Sequence, residues 1–233
     1  MLTTERTVGI MKLDQEKTAY SQRQEEGTME KSNTKETILE ESLDLFSVNG
    51  YEATSISQIA DVVGIRKASL YSHFANKQDI LDHVIEMVLD GYYRHTVFAH
   101  ANWEDPEFTK DKDSMTSGDV AKMILGQIRY ILHDPHISKG RKMLLIEQFR
   151  NEEMARLQTK MNYEDVLDFF TGMMRFLMRK GTLKNADPTI MATQFTSPIT
   201  VWINLCDREP EREEEAMGLV EKHIMQFFEI YQN

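Results

Sequence analysis

A single cysteine, Cys206, is all the thiol this chain possesses, so no internal disulfide can staple it and a reducing cytoplasm is the compartment that fits. Five prolines in 233 residues, with apolar positions recurring at helical spacing along most of the sequence, leave little room for a strand-and-turn architecture and indicate an all-α fold. No apolar run approaches the roughly eighteen residues that a membrane-spanning helix needs. The first twenty residues, MLTTERTVGIMKLDQEKTAY, lack the apolar block, basic start and small-residue cleavage site of a secretory signal. HExxH, paired CxxC, GxSxG, phosphate-binding and dinucleotide-binding glycine patterns are missing too, so neither an enzyme nor a cofactor is expected. Cations are outnumbered: the net charge of −11 argues against non-specific coating of nucleic acid, which requires positive charge against phosphate. What is present is a hydrophobic share of 41%, enough to fill a sizeable core, beside 28% charged residues.

Residues 1–31 are polar without a sustained period and read as a disordered leader, with Met29 as a possible alternative start. A second unit, 32–83, is dense in short helical signals. Ile38, Leu39, Ser42, Leu45 and Phe46 recur at helical spacing until Asn49-Gly50 stops the first helix. Ser55 with Gln58 forms a capping box for a second helix whose apolar face is Ile56, Ile59, Ala60 and Val63. Gly64 breaks it, a third helix spans roughly Lys67 to His73, and Asn76 with Asp79 caps a fourth, expected from Lys77 to about Ala101. Helices this short must share a core, drawn from Phe46, Tyr51, Ile59, Val63, Leu70 and Phe74. Two short helices about a glycine turn are the helix-turn-helix pattern, whose second helix suits the major groove of DNA. Between Ser32 and His83 four cations face eight carboxylates, yet Arg66, Lys67 and Lys77 fall within twelve residues of one another, which predicts a small positive edge on a negative body.

The third unit, 84–233, continues as helices. The acidic stretch 102–117 reads as a loop, with Ser117 capping a helix from about Gly118 to Leu132, and HDPHISKG interrupts the chain around Pro135. Helices are expected from Arg141 to about Leu157 and from Tyr163 to Lys180, the latter stopped by Gly181. Asp187-Pro188 is a strong start signal for one lasting to about Cys206, and the acidic DREPEREEE leads into the last.

From Ile38 to Leu81 the sequence resembles the TetR family of bacterial transcriptional regulators. The resemblance rests on LFxxxGYxxTS, on IAxxxGI and on LYxHFxxK, and covers about a fifth of the chain. It implies a small DNA-binding domain joined by a long helix to a larger helical domain for ligand binding and dimerisation. By position it assigns Thr54, Tyr71, His73 and Lys77 to phosphates, and Lys67, Ala68 and Ser69 to bases or their nearest phosphates; hydroxyls and cations fixing register on the backbone agree with this. Arg66 stands where family members often carry a capping Ser or Thr; it cannot cap in that way but can reach guanine or phosphate. Tyr71 also fits a core role, His73 a surface one, and Lys77 a solvated first turn.

The resemblance further implies a homodimer on double-stranded palindromic operator DNA, acting as a repressor released by a small apolar or aromatic ligand. Met123, Met143, Phe149, Phe169, Phe170, Met173, Phe176 and Phe195 are the candidate ligand-lining residues, since methionine and aromatic side chains repack around varied apolar molecules; a ligand-free Met-rich core fits the same pattern. Phe195, Ile199, Trp202, Leu219, His223 and Phe227 are candidates for a four-helix dimer interface built from the last two helices of each copy. The other class of function is a helical module whose small domain docks a protein instead of DNA. No metal is expected: His133, Asp134 and His136 sit in a proline-containing turn, and His95 and His100 are not four apart.

Overall fold

The computed structural model describes residues 29–99 and 101–233, so the expected leader lies almost wholly outside the described residues. The chain is helical. Helix α1 runs Met29–Asn49, already including the last three positions assigned to the leader; α2 is Ile56–Val63, α3 Lys67–Leu70 and α4 Lys77–His95. A short Pro106–Thr109 helix (α5) is followed by α6 (Ser117–His133), α7 (Pro135–Glu147) and α8 (Glu152–Thr159). One π turn, Lys160–Glu164, joins α8 to α9 (Asp165–Arg179), and α10 (Pro188–Arg208) and α11 (Glu213–Tyr231) complete the chain. Among the described residues there is no strand, only an isolated bridge between Leu183 and Gln232.

Most capping signals act where expected. The Ser55–Gln58 box is formed in both directions, Asn76 accepts from the Asp79 amide at 3.0 Å, and Asp187 accepts from Thr189 and Ile190 with Pro188 in the first turn. Other boundaries differ for identifiable reasons. Helix α4 ends at His95, not near Ala101, because Thr96 takes up extended backbone and its buried hydroxyl donates to Tyr92 O; a 3-10 turn, Val97–Ala99, follows. The cap of α6 is Thr116, not Ser117, reciprocated by the Asp119 carboxylate. The interruption expected around Pro135 is present, with Asp134 in extended backbone ending α6 and capping α7, and a further break falls at 148–151, where Asn151 caps α8. The expected helix from Arg141 to Leu157 is therefore two. The stretch expected to be a plain loop contains α5, capped by Asp105, and buries Trp103.

Two interiors organise the molecule. One is aromatic and lies within the larger unit: Phe98, Trp103, Phe169, Phe170, Phe176, Phe195 and Phe227 pack with ring centroids mostly about 5 Å apart. The other gathers Phe46, Ile59, Leu70 and Phe74 of the small unit with Val84 and Val88 of α4, and with Ile137, Met143, Leu144 and Met154 from the larger one. Helix α7 is thus in contact with α1 and α4. Gly140 makes that approach possible, since a Cβ there would stand 2.5 and 2.7 Å from the two γ carbons of Val88. Gly140→Ala should therefore destabilise the protein by about 1–3 kcal/mol in a denaturant titration, and Val88→Ala in the same chain should restore part of the loss. Unaltered stability of the single variant would mean that α7 can slide freely.

Tyr92 anchors α4 from the other side. Its hydroxyl donates to Asp165 Oδ2 at 2.9 Å and lies 3.2 Å from the carbonyl of Met161 in the π turn; burial, then the adjacent Asp165 carboxylate, holds its ionisation far above the usual phenol range. It is a donor throughout the physiological range. Cys206 is buried, and burial with Glu213 and Asp207 nearby pushes its thiol up, so it packs as a neutral side chain rather than a reactive thiolate.

Candidate nucleic-acid interface and cavity

Gly64 closes α2 in the left-handed region, φ 76°, with its amide turned back toward Ala60 O and Asp61 O. That conformation suits glycine, and it lets α3 leave at once in a new direction. Leu70 and Phe74 pull one side of α3 and its following turn into the core, which leaves Arg66, Lys67, Ala68 and Ser69 exposed together. Tyr71 is about half exposed rather than buried in the core, and His73 is half-buried. Arg66 makes no side-chain cap hydrogen bond, as its chemistry requires, so its guanidinium remains available to a partner.

Thr54 and Lys77 are placed differently from the surface residues. Thr54 is 1% exposed and its hydroxyl donates to Gly50 O at 2.8 Å, so that group is used inside the protein. Lys77 donates to Tyr51 O at 2.9 Å and Thr54 O at 3.0 Å while its ammonium sits 4.1 Å from the Tyr51 ring centroid. The cation at the start of α4 therefore opposes the helix dipole in order to tie down the turn between α1 and α2. Five of the eight candidates are exposed, the run from Arg66 to Ser69 together with Tyr71, and His73 behind them is half-buried.

Sequence reasoning missed the residue that joins this surface to the rest. Glu147, 1% exposed at the end of α7, accepts the backbone N–H of Tyr51 at 2.8 Å, and Lys139 pairs with Asp44 of α1. Nothing local in the sequence points at Glu147, because its partner is 96 residues away.

In the larger unit a cavity of about 150 Å³ opens between α6, α7, α9 and α10. Its apolar wall includes Ile124, Ile128, Val166, Phe170, Ile199 and Ile203; Arg141, Gln158, Asn162, Thr196, Thr200 and Asn204 supply polar groups. Of the eight candidate ligand-lining residues only Phe170 lies on it. Phe169, Met173, Phe176 and Phe195 are packed in the aromatic interior, with Met123 against it; Met143 belongs to the interior shared with the small unit; and Phe149 is 89% exposed, outside any interior. Methionine-rich helices signalled burial, but the cavity is walled by branched aliphatic and small polar side chains.

The dimerisation candidates divide similarly. Phe195, Ile199 and Phe227 are buried within their own chain, while Trp202 and His223 are half-buried against each other with ring centroids 5.9 Å apart, and Leu219 is exposed. His223 Nε2 lies 2.9 Å from Phe195 O. The periodicity did not pick out Val201, Met225 and Ile230, which stand exposed on the same two helices.

Among the described residues no group of three or more His, Cys, Asp or Glu side chains could hold a metal, and no helix is long and apolar enough to cross a membrane. Asp134 spends its carboxylate on the α7 cap, His133 meets Glu213 at 2.8 Å, and His100 lies outside the described residues.

Comparison with known proteins bears on the same region. Residues 38–84 match the family model described as bacterial regulatory proteins, tetR family. The chain is 35% identical over 68 residues to IcaR of Staphylococcus aureus (strain Newman), the HTH-type negative transcriptional regulator of the biofilm operon icaADBC. The match covers 29% of this chain and 36% of IcaR. It is 37% identical over 73 residues to the HTH-type transcriptional repressor KstR2 of Rhodococcus jostii (strain RHA1), covering 30% of this chain and 36% of KstR2. The chain thus matches about a third of the length of these curated relatives. Among solved structures, SmeT in complex with triclosan superposes with a TM-score of 0.59 at 18% identity, over 86% of this chain and 92% of that one. SmeT is the repressor of the Stenotrophomonas maltophilia multidrug efflux pump SmeDEF. A TetR family transcriptional regulator from Pseudomonas syringae gives 0.54 at 19% identity, over 86% and 97%. These superpositions establish a shared fold alone.

Proposed function

Because this chain belongs to the TetR family of bacterial regulatory proteins, a family of DNA-binding regulators and not of enzymes, we propose that it works as a homodimeric repressor on a palindromic operator and lets go when a small molecule fills the cavity. The observation that carries the DNA reading is the exposed run from Arg66 to Ser69, presented on α3 by Leu70 and Phe74 and flanked by Tyr71. Small residues at Ala68 and Ser69 admit α3 to a groove, and the neighbouring cations meet guanine edges or phosphate. A second copy covers the exposed apolar residues of α10 and α11, which sets two recognition helices about 34–36 Å apart or a multiple of that.

The cavity supports the ligand half of the reading. Its walls are mainly apolar with a few polar groups, as small-molecule sites are. SmeT, which shares the fold, has a solved triclosan complex. Helix α7 connects that cavity to the small unit: Arg141 and Leu145 line the one, while Glu147 and Lys139 hold the other. No residue of α4 lines the cavity, and Phe98, just beyond its end, does. Helix α7 therefore offers a route from the cavity to the small unit beside the long helix α4. Coupling of this kind is reciprocal, so operator DNA must weaken effector binding by the same factor.

Selection of bound sequences from random duplexes tests the DNA half. A palindrome with half-sites at the stated spacing is the expected outcome. Enrichment of a single asymmetric site, or no enrichment while the purified protein captures a protein partner instead, would overturn it.

A further inference from the structure

Arg141, one of the residues that line the cavity, has a donor that the protein itself leaves unused. Arg141 is 7% exposed, and its two terminal nitrogens are both taken by the two carboxylate oxygens of Asp207 on α10. Its Nε is buried and has no acceptor among the described residues. Several neighbouring polar groups on the same wall are committed elsewhere, although among the described residues the Asn204 side chain is not. Gln158 Oε1 accepts from Asn162 at 2.9 Å, and the hydroxyls of Thr196 and Thr200 donate back to Ala192 O and Thr196 O in their own helix. A buried donor without a partner bears the full cost of its desolvation, and an occupant that brings an acceptor removes that cost.

We infer that the effector is a ring-sized apolar molecule carrying one neutral carbonyl oxygen, and that Arg141 Nε–H is the donor that selects it. This rests on the reading of the cavity as the effector site. The size follows from a volume of about 150 Å³, comparable with cavities that take up benzene. Neutrality follows from Asp207, which already balances the guanidinium and would stand beside any carboxylate placed on the same donor. The apolar body meets Ile124, Phe170 and Ile203. A site built around such a donor discriminates against a molecule of the same shape that lacks the oxygen.

Calorimetric titration of the full-length protein with acetophenone, ethylbenzene and benzoate separates the possibilities. Acetophenone should bind about 10- to 100-fold more tightly than ethylbenzene, and more tightly than benzoate. Replacing both members of the ion pair, Arg141→Leu with Asp207→Leu, avoids stranding one charge and should bring the acetophenone-to-ethylbenzene ratio down to about one while ethylbenzene binding persists. Arg141→Lys, which keeps the charge opposite Asp207 but removes the Nε donor, should lower the ratio in the same direction and serves if the double variant does not fold. Equal binding of acetophenone and ethylbenzene by the parent protein, or benzoate as the tightest of the three, overturns the assignment of Arg141 and leaves the cavity as an effector site. Failure of all three to bind overturns the cavity reading itself.

Discussion

Replacing Phe195 with alanine is expected to lower the free energy of unfolding by about 3–5 kcal/mol, which for a chain of this size is a fall in Tm of roughly 6–20 °C. Phe195 is fully buried in α10, with ring centroids 5.3 Å from Phe170 of α9 and 4.9 Å from Phe227 of α11. Truncation removes its transfer free energy, its edge-on contact with Phe227 and its tilted contact with Phe170, and it leaves a void bounded by three helices that cannot all close at once. Thermal unfolding followed by circular dichroism reads the effect. A shift of only a degree or two would mean that the aromatic interior rearranges around the gap.

The second large effect concerns DNA. Lys67→Ala is expected to weaken binding to the selected operator by about 10- to 100-fold, with Tm unchanged and the slope of log affinity against log salt reduced by about 1. The ammonium is exposed and has no structural work to do. Lys77→Ala should behave differently. Its ammonium satisfies the carbonyls of Tyr51 and Thr54, so removing it should weaken DNA binding and also cost stability, about 2 kcal/mol for charged hydrogen bonds of this type. Comparing the two variants in one binding and one melting experiment separates contact from support. Should the Lys67 variant bind with unchanged affinity and unchanged salt slope, the assignment of α3 to a groove would have to be given up.

The small unit is legible in sequence because its instructions are local. Ser55 with Gln58, Gly64, and Asn76 with Asp79 each act within three residues, and a family spacing adds the aromatic positions between them. The larger unit is less legible because apolar periodicity reports that a face is buried and not what buries it. Met143 reads like a pocket residue and joins the interior shared with α1 and α4. Phe149 has the same chemical character and ends in solvent, because α7 stops two residues earlier. Trp103 sits in acidic, polar sequence and still reaches the core, where a Cβ on Gly172 would come within 2.7 Å of its ring. A large aromatic in a polar stretch was the available signal there. Glu147, Arg141 and Asp207 carried none, since each acquires its role only from a partner distant in the chain.

The interior shared by the two units has a consequence for how the protein can be divided. Val84 and Val88 on α4, together with Ile137, Met143 and Leu144 on α7, complete a core that Phe46, Ile59 and Phe74 begin. A cut between His83 and Val84 follows the seam suggested by the spacing of motifs but passes through the middle of one greasy layer. The N-terminal fragment would be released with a raw apolar wound where α7 had lain, so the small unit and the larger one come as a single piece of folding.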